Sequence, residues 1–402
     1  MKCKTIFAAL LALVLPWTGA RAQSAYGWDA TTNEALFATL LTYCKTTQAD
    51  LMGTPAYYLA QNLMLEMEAT HDASPYLWMK QVHAYCNQME SMFPAELFNP
   101  MVGSKDPYEK LRRSIMRLRD FPMHEAGIGG DASYTNAQQT AAFSAANKQW
   151  LQYKRDDFFQ FLAKPRPTGK ELQIAKLYSS GFVMRTKNAC IGMDICYEEG
   201  LYSSDRVNEL TDMLDVLYVT HAHGDHYDLG LIRRMLSLGK PVVMTKDLVG
   251  GTYPGTKYVW SNGQNTPIPI GPTQSLGFMS AQGTEPCLLY MVEIDDWRII
   301  HVGDNSFHDN EGAYTNIEIA DIVISPVFQG ITTLLKYTKG APNPSNREQI
   351  YINCHENEWH HSIDHRVSFK YMYTNAASLG NTSFIYPSCI IMDCGEHIVL
   401  NK

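Results

Sequence analysis

Nine consecutive residues from position 220 read THAHGDHYD, and they hold three histidines and two aspartates. They overlap the end of DVLYVT, an apolar run typical of a buried β-strand, so the histidines begin where a strand turns into a loop. Side chains at strand ends are held rigidly and stay open to solvent, and divalent metals such as zinc accept nitrogen and oxygen donors. The spacing therefore predicts that His221, His223, Asp225 and His226 bind one or two divalent ions.

The pattern H-x-H-x-D-H directly after an apolar strand resembles the signature of the metallo-β-lactamase superfamily. The resemblance covers roughly residues 170 to 402 and implies an α/β fold, a four-layer αβ/βα sandwich, for that part of the chain. Members of this superfamily usually catalyse metal-assisted hydrolysis. A bound divalent ion activates water, so such a reaction needs no nucleophilic side chain.

The resemblance also implies roles for residues far along the chain. Asp194, in CIGMDI, matches an aspartate near the end of an early strand that holds the metal loop. Asp304, in IIHVGDNSF, matches an aspartate that bridges two ions, and His355, after QIYINC, matches the last histidine ligand. A second group of ligands would then combine Asp304 and His355 with Asp225 and His226.

One position departs from the family pattern. The family usually supplies another histidine between the first cluster and the bridging aspartate, but residues 227 to 300 contain none. By its place before the CLLYMVEI strand, Gln282 is the best counterpart, and its amide oxygen is a weak, neutral ligand. We therefore expect one firmly bound ion, with zinc as the first choice and manganese or iron as alternatives, and a second ion that is weak or absent.

The stretch HENEWHHSIDH, which follows the last strand, contains further candidate residues. We expect Glu356 and His361 to lie around the mouth of the pocket, where they would contact metal ligands or substrate, with a solvated loop as the alternative. His301 precedes the bridging aspartate by three residues and is expected to be structural.

The reaction implied by the resemblance is hydrolysis by a metal-bound hydroxide, with Asp225 as the catalytic residue that orients it or accepts its proton. The bond would be an ester, lactone, phosphodiester or amide. The spacing around HVGDNSF and His355 looks closer to the lactonase and phospholipase D-like branch than to true β-lactamases. The alternative is a protein of the cell envelope that has lost catalysis and binds a metal or another ligand.

The N-terminal part is predicted to be helical and to form a domain of its own. A small polar residue precedes proline at positions 54, 74 and 106, as at helix starts, and helix-period apolar patterns continue to about residue 163. The segment KPRPTG at 164–169 breaks this pattern, and short β-rich runs follow. The sequence thus predicts a helical domain at 23–165 and a catalytic domain of the metallo-β-lactamase fold at 170–402.

The first 22 residues are typical of a cleavable secretory signal, with two lysines before a short apolar run and cleavage expected near Ala22. This predicts an exported protein, periplasmic or secreted, without a membrane span. Removing Lys2, Lys4 and Arg21 takes the formal charge from −8 to −11, and the absence of a basic run argues against nucleic acid as a partner. The expected partner is a small-molecule or lipid-like substrate, and the sequence leaves the oligomeric state open.

Eight cysteines remain after the predicted signal, since one of the nine lies within it. An even number in an exported chain permits disulfides, but the spacing selects no set of pairs. We expect a bridge between Cys44 and Cys86, because both lie on predicted helices of one subdomain.

Overall fold

The computed structural model describes the following segments of the chain: residues 30–72, 75–92, 107–122, 137–196, 204–260, 267–305, 317–318, 320–326, 338–339, 350–356, 367–379 and 388–402. The described part before residue 163 is helical, as predicted. Its helices are α1 (Ala30–Asp50), α2 (Ala56–Ala69), α3 (Pro75–Glu90), α4 (Pro107–Asp120) and α5 (Ala137–Leu162).

Proline marks the start of three of these helices. Pro75 and Pro107 are the first residues of α3 and α4, where the missing amide hydrogen of proline costs no helical hydrogen bond. In α2 the helix begins one residue later than predicted. Pro55 occupies the position before the first helical residue, and the Thr54 hydroxyl donates to the Leu51 carbonyl at 2.7 Å instead of capping the helix.

The later part of the chain forms two seven-stranded sheets. The first sheet has the order β16-β1-β2-β3-β4-β5-β6. Its strands are β1 (Leu172–Lys176), β2 (Phe182–Arg185), β3 (Cys190–Met193), β4 (Val216–Tyr218), β5 (Val242–Met244), β6 (Lys257–Val259) and β16 (His397–Leu400). Strands β3 to β6 run parallel, so the loops that follow β3 and β4 leave the sheet at one edge.

The second sheet has the order β15-β14-β12-β10-β9-β8-β7. Its strands are β7 (Ile268–Ile270), β8 (Thr273–Gln282), β9 (Glu285–Ile294), β10 (Trp297–His301), β12 (Ile322–Pro326), β14 (Ile350–Cys354) and β15 (Ser388–Ile390). Strands β10, β12, β14 and β15 are parallel, so β10 and β14 end at the same edge. The short strands β11 (Ile317–Glu318) and β13 (Thr338–Lys339) pair with each other.

Successive residues of a strand point to opposite faces of the sheet, and apolar side chains cover both faces of the first sheet. One face packs against the second sheet in a core that includes Ile174 and Ile191 from the first sheet and Val292 and Ile324 from the second. The opposite face packs against α6 (Ser204–Met213), α7 (Leu229–Ser237) and the N-terminal helices in one continuous apolar cluster.

Helix α8 (Phe369–Leu379) packs beside the second sheet, so helices flank both sheets. The predicted α/β sandwich with four layers and an N-terminal helical region is therefore confirmed. In the described part of the chain, none of the helices combines the length and the apolar character needed to cross a bilayer.

Polar contacts tie α4 to the C-terminal part of the chain. The buried Asp120 carboxylate accepts hydrogen bonds from the amides of Phe369 and Lys370, at 2.8 and 2.9 Å, and so caps the N-terminus of α8. Its neighbour Arg119 forms a buried ion pair with Asp393, in the turn between β15 and β16. The helical region and the sandwich therefore share buried charges as well as an apolar core.

The predicted bridge between Cys44 and Cys86 is wrong for this structure. The two residues lie on α1 and α3, as expected, but both thiols are buried and free. Burial raises the pKa of the Cys44 thiol to about 12, so this group is protonated at neutral pH.

Replacing the capping carboxylate should measure how firmly α4 holds α8. We expect Asp120→Ala to lower the free energy of unfolding by about 2 kcal/mol, because two amides at a helix start lose their buried acceptor. Urea denaturation followed by circular dichroism measures this change. Asp72→Ala, which removes a fully exposed carboxylate, is the matched control, and equal effects of the two changes would contradict the capping role.

Candidate metal centre

The loop that follows β4 carries the histidine cluster and is fixed at both ends. At its start, the Val219 amide donates to the Val243 carbonyl at 2.8 Å, which continues the pairing with β5. At its end, the Asp228 carboxylate accepts a hydrogen bond from the Leu231 amide and caps α7. Between these points the His226 amide donates to the His223 carbonyl at 2.9 Å, so the loop curls and its side chains converge.

Asp194, the residue after β3, is the fully buried acceptor at the base of this loop. Its carboxylate accepts hydrogen bonds from the Thr220 amide at 2.7 Å, from the Thr220 hydroxyl at 2.6 Å and from His226 Nδ1 at 2.7 Å. Burial alone would raise the pKa of this carboxyl, but the adjacent His226 and His301 and these hydrogen bonds hold it below its ordinary value. Asp194 therefore stays ionised and fixes the loop.

These hydrogen bonds set which nitrogen of each histidine carries a proton. Because Asp194 only accepts, His226 has its proton on Nδ1 and directs the lone pair of Nε2 away from Asp194. The Thr220 hydroxyl donates to Asp194 and can thus accept from His221 Nδ1, which lies 3.0 Å away. In the neutral imidazoles both Nε2 atoms are then acceptors, the form in which imidazole binds a metal ion.

Thr220 and Cys287 belong to this arrangement and were not predicted. The Cys287 thiol lies 3.7 Å from His221 Nδ1 and is buried under the loop. The sequence carried a weak signal for Thr220, which directly precedes His221. It carried none for Cys287, which reaches the site only because β9 of the second sheet lies against β4.

The second sheet contributes Asp304 after β10 and His355 after β14. His355 Nε2 lies 3.0 Å from His226 Nε2 and also contacts Asp304 Oδ1. His226 Nε2 is 3.5 Å from oxygens of both Asp304 and Asp225. His355 has a φ of +64°, a left-handed conformation that side chains with a Cβ rarely adopt and that is typical of functional sites.

Two groups of donors result, and they have Asp304 in common. One consists of Asp225, His226, Asp304 and His355, and within it the ligand atoms all lie within 4.8 Å of one another. The other consists of His221 and His223 with Asp304, under the same limit. The structure therefore brings together all six residues that the sequence proposed as ligands.

Gln282 lies at the end of β8, beside the shared carboxylate. Its amide nitrogen donates to Asp304 Oδ2 at 2.8 Å, and the same oxygen is 3.8 Å from His221 Nε2. A histidine at this place, which the resemblance led us to expect, would offer a lone pair, whereas the Gln282 side-chain amide donates a hydrogen bond to the carboxylate.

The buried polar atoms of the described residues that have no hydrogen-bonding partner include three acceptors at the site. They are His221 Nε2, Gln282 Oε1 and Asp304 Oδ1. A buried acceptor without a partner is costly, and a cation is the partner that nitrogen and oxygen acceptors of this kind share. The donor set thus fits a divalent metal ion.

The pKa shifts of the site residues also favour a bound cation. Burial would raise the pKa of Asp304, but His355 and His226 hold it well below the ordinary value, and the pKa of Asp225 is lowered in the same manner. Burial would lower the pKa of His226, yet Asp304, Asp225 and Asp194 raise it well above 6.5. Carboxylates gathered around one imidazole therefore favour positive charge at the centre of the group.

Burial and the neighbouring His226 lower the pKa of His221 to about 3, so His221 is neutral at physiological pH. His301 is fully buried, and its Nε2 lies 3.2 Å from the Ser180 carbonyl and 3.8 Å from Asp194. It lies beside Asp194 in the chain interior, in keeping with the structural role predicted for it.

Glu356 does not lie at a pocket mouth, where it was expected. It is buried beside His355 and contacts the ammonium group of Lys176 and the side-chain amide of Asn353. These contacts hold Glu356 in the chain interior, so it interacts with other residues of the protein and not with a substrate. His361 and the segment 357–366 around it lie outside the described residues.

Comparison with known proteins gives a family match over part of the chain. Residues 173–343 match the model of a family described as the β-lactamase superfamily domain, a range that includes every predicted site residue up to Asp304. No curated protein matches the chain significantly.

Several solved structures resemble the chain at low sequence identity. Igni18, a metallo hydrolase from Ignicoccus hospitalis, is 15% identical over 58% of this chain and 99% of its own, with a TM-score of 0.42. The metallo-β-lactamase fold protein YhfI from Bacillus subtilis is 13% identical over 57% of this chain and 100% of its own, with a TM-score of 0.38. A variant of the CmlA β-hydroxylase of Streptomyces venezuelae is 11% identical over 92% and 93% of the two chains, with a TM-score of 0.37.

The hydrogen bonds of Asp194 lead to a prediction about metal affinity. Asp194→Asn keeps the shape of the side chain but replaces one acceptor by a donor, so His226 loses the partner that fixes its proton on Nδ1. We expect zinc to bind about 10- to 100-fold more weakly, as measured by competition with a chromophoric chelator. Asp215→Asn is the control, since Asp215 accepts a backbone hydrogen bond at the opposite end of β3; an equal loss in both variants would contradict the role of Asp194.

Proposed function

We propose that this chain, whose residues 173–343 match the β-lactamase superfamily domain, is a metal-dependent hydrolase of the metallo-β-lactamase superfamily. The observation that carries the proposal is the sharing of Asp304 by two convergent groups of nitrogen and oxygen donors. A carboxylate with one oxygen towards His355 and the other towards His221 is suited to bridge two neighbouring cation sites.

The two groups have different donor sets. Asp225, His226, Asp304 and His355 would hold the firmly bound ion, because two imidazoles and two carboxylates satisfy the coordination of zinc and balance its charge. Zinc is the metal we propose, and manganese or iron would accept the same donors. When bound, a divalent ion supplies Lewis acidity, which polarises the bond under attack and activates water near neutral pH.

Asp225 is the residue we propose for proton transfer. Its side chain is 16% exposed, compared with 8% for Asp304 and complete burial for Asp194, so it is the carboxylate of the site that substrate and water can reach. Its lowered pKa keeps it ionised, so it can accept a hydrogen bond from the attacking water and orient it, but makes it a weaker base than an ordinary carboxylate. Asp304 and Asp194 are engaged by histidines and would orient the site instead.

The group of His221, His223 and Asp304 would bind a second ion weakly. Asp304 Oδ2 faces this group, but the Gln282 amide donates a hydrogen bond to that oxygen and competes with a cation for it. An amide oxygen is also a weaker zinc ligand than an imidazole nitrogen. The hydrolase we propose therefore works with one firm ion and a second that exchanges readily.

We also propose which kind of bond is cleaved and where the protein acts. An ester, lactone, phosphodiester or amide suits hydrolysis assisted by one such centre, and lactones and phosphodiesters come first because of the resemblance to the lactonase and phospholipase D-like branch. The N-terminal sequence supports export, with signal cleavage near Ala22 and action in the periplasm or outside the cell.

Metal content and turnover test the proposal together. We expect about one equivalent of zinc, manganese or iron per purified chain by elemental mass spectrometry, and loss of that ion in His226→Ala. The chain should hydrolyse at least one class of substrate in a panel of esters, lactones, phosphodiesters and amides. Asp225→Asn keeps a side-chain oxygen that can still bind the ion, so the ion should be retained while kcat/KM falls by at least about 100-fold, because the carboxylate that orients water and accepts its proton is lost.

Three outcomes separate the alternatives. A parent chain that binds no metal even after supplementation would contradict the proposal. A parent that binds metal but hydrolyses nothing in the panel would favour a binding protein of the cell envelope. Equal loss of metal and turnover in Asp225→Asn would make Asp225 a ligand first and leave its part in proton transfer without support.

The identity of residue 282 should decide whether a second ion binds. We expect Gln282→His to strengthen binding of a second zinc ion by roughly tenfold or more, because an imidazole lone pair replaces an amide that donates to Asp304. Calorimetric titration of the metal-depleted variant gives the stoichiometry. Gln274→His, at the other end of β8, is the control; a second ion that binds equally well to parent and variant would show that Gln282 does not weaken the site.

A further inference from the structure

The proposed centre takes its donors from both sheets of the sandwich. Asp225 and His226 lie on the loop after β4 of the first sheet, whereas Asp304 and His355 follow strands of the second sheet. The distance of 3.0 Å between the Nε2 atoms of His226 and His355 therefore depends on how the two sheets are held together at this edge.

On the side of His226, hydrogen bonds cross between the sheets directly. The Leu288 amide donates to the Thr220 carbonyl at 2.8 Å, and the Tyr290 hydroxyl donates to the Val219 carbonyl at 2.8 Å. Both donors lie on β9, so the start of the metal loop is fixed to the middle of the second sheet.

On the side of His355, a charged side chain crosses between the sheets. Lys176 is the last residue of β1 in the first sheet and is fully buried. Its ammonium group donates to the Asn353 carbonyl at 3.1 Å and contacts the Glu356 carboxyl group. Asn353 lies in β14 of the second sheet, so Lys176 holds the chain on both sides of His355.

The partners of Lys176 are themselves fixed. The Asn353 side chain donates to Glu356 at 2.9 Å, and its oxygen accepts a hydrogen bond from the Met392 amide at 2.6 Å. The backbone of Lys176 is paired as well, since its amide donates to the Glu396 carbonyl at 2.9 Å and its carbonyl accepts from Gly395 at 2.9 Å. The ammonium group is therefore held at a defined place between the two sheets.

His355 needs such support because of its backbone. Its φ of +64° lies in the left-handed region, which a residue with a Cβ leaves unless the surrounding structure fixes it. Residues on both sides of it in the chain, Asn353 and Glu356, are the ones that Lys176 holds. A buried amine and carboxyl in direct contact are otherwise a poor means of stabilising a fold, so a positional role accounts for them better.

We propose that Lys176 and Glu356 form a cross-sheet contact that positions His355 against His226 and so determines how tightly the centre holds its ion. Both are positioning residues, since they act through His355. This inference rests on the proposed function, because it concerns the affinity of the same metal site.

Metal affinity and fold stability, measured on the same variants of the full chain, test the inference. The variants are Lys176→Met, Glu356→Gln and the double variant, each metal-depleted and titrated with up to one equivalent of cobalt(II) or zinc. Cobalt absorption bands report the coordination geometry, and urea denaturation of the metal-depleted proteins reports stability. Glu356→Gln keeps the size of the side chain and its hydrogen-bond acceptor, so it remains informative if Lys176→Met fails to fold.

We expect Lys176→Met to lower the affinity for one ion at least tenfold, which is about 1.4 kcal/mol, and to shift the cobalt bands. Glu356→Gln should cause a smaller loss, of roughly threefold, because the glutamine amide keeps an oxygen that accepts from the ammonium group. The double variant has no unpaired charge and should regain much of the stability lost in Lys176→Met. Its metal affinity should stay at least tenfold below that of the parent.

Lys402→Met is the matched control. Lys402 forms a 2.8 Å ion pair with Asp321, which precedes β12 and thus lies at the opposite edge of the second sheet. This variant should bind cobalt with the affinity and the spectrum of the parent.

Two results would overturn the inference. One is a folded Lys176→Met or Glu356→Gln variant with unchanged affinity and cobalt bands; the other is a double variant that recovers affinity together with stability. Either would make the contact a structural ion pair only. Failure of the parent chain to bind cobalt or zinc is a different result: it would contradict the proposed function itself and leave no ion for Lys176 and Glu356 to act on.

Discussion

The centre depends on the buried carboxylate of Asp194. By accepting hydrogen bonds from the Thr220 amide, the Thr220 hydroxyl and His226, one ionised group fixes the backbone of the metal loop and the protonation of its histidines. Burial makes these bonds stronger than they would be in water and makes the carboxylate costly without them. The geometry of His221 and His226 follows from this single group.

Three carboxylates lie at the site, and the positive charge of the protein balances them only in part. Asp194, Asp225 and Asp304 surround His226 and raise its pKa, while burial lowers the pKa of the neighbouring His221. A divalent cation satisfies both tendencies, because it neutralises the carboxylates and accepts the lone pairs of neutral imidazoles. The same physical demand explains why acceptor atoms at the site, such as His221 Nε2, find no hydrogen-bond donor among the described residues.

The helical region is part of the structure that supports the centre. Its α4 caps α8 through Asp120 and pairs with Asp393 through Arg119. The Met392 amide, next to Asp393, donates to Asn353 in β14, the strand that precedes His355. A buried polar path thus runs from α4 to the strand that precedes His355. Buried networks of this kind define one arrangement, since each unpaired member would cost free energy.

The sequence by itself was enough to predict the helices, the strands and the candidate metal-binding residues. Three features depend on residues near each other in the chain, or on a family pattern that keeps their order. They are the THAHGDHYD motif after an apolar run, the helical periods before residue 163, and the strands that precede Asp194, Asp304 and His355. These features are local, so they can be predicted without knowing which strands are neighbours.

Only the tertiary structure decided the contacts between segments distant in the chain. It showed that the Gln282 amide donates to Asp304, that Glu356 is buried against Lys176 instead of facing the pocket mouth, and that the bridge between Cys44 and Cys86 is not formed. Each of these depends on the packing of one sheet or helix against another. That packing brings together residues whose separation in sequence carries no signal, so no period or motif could have predicted it.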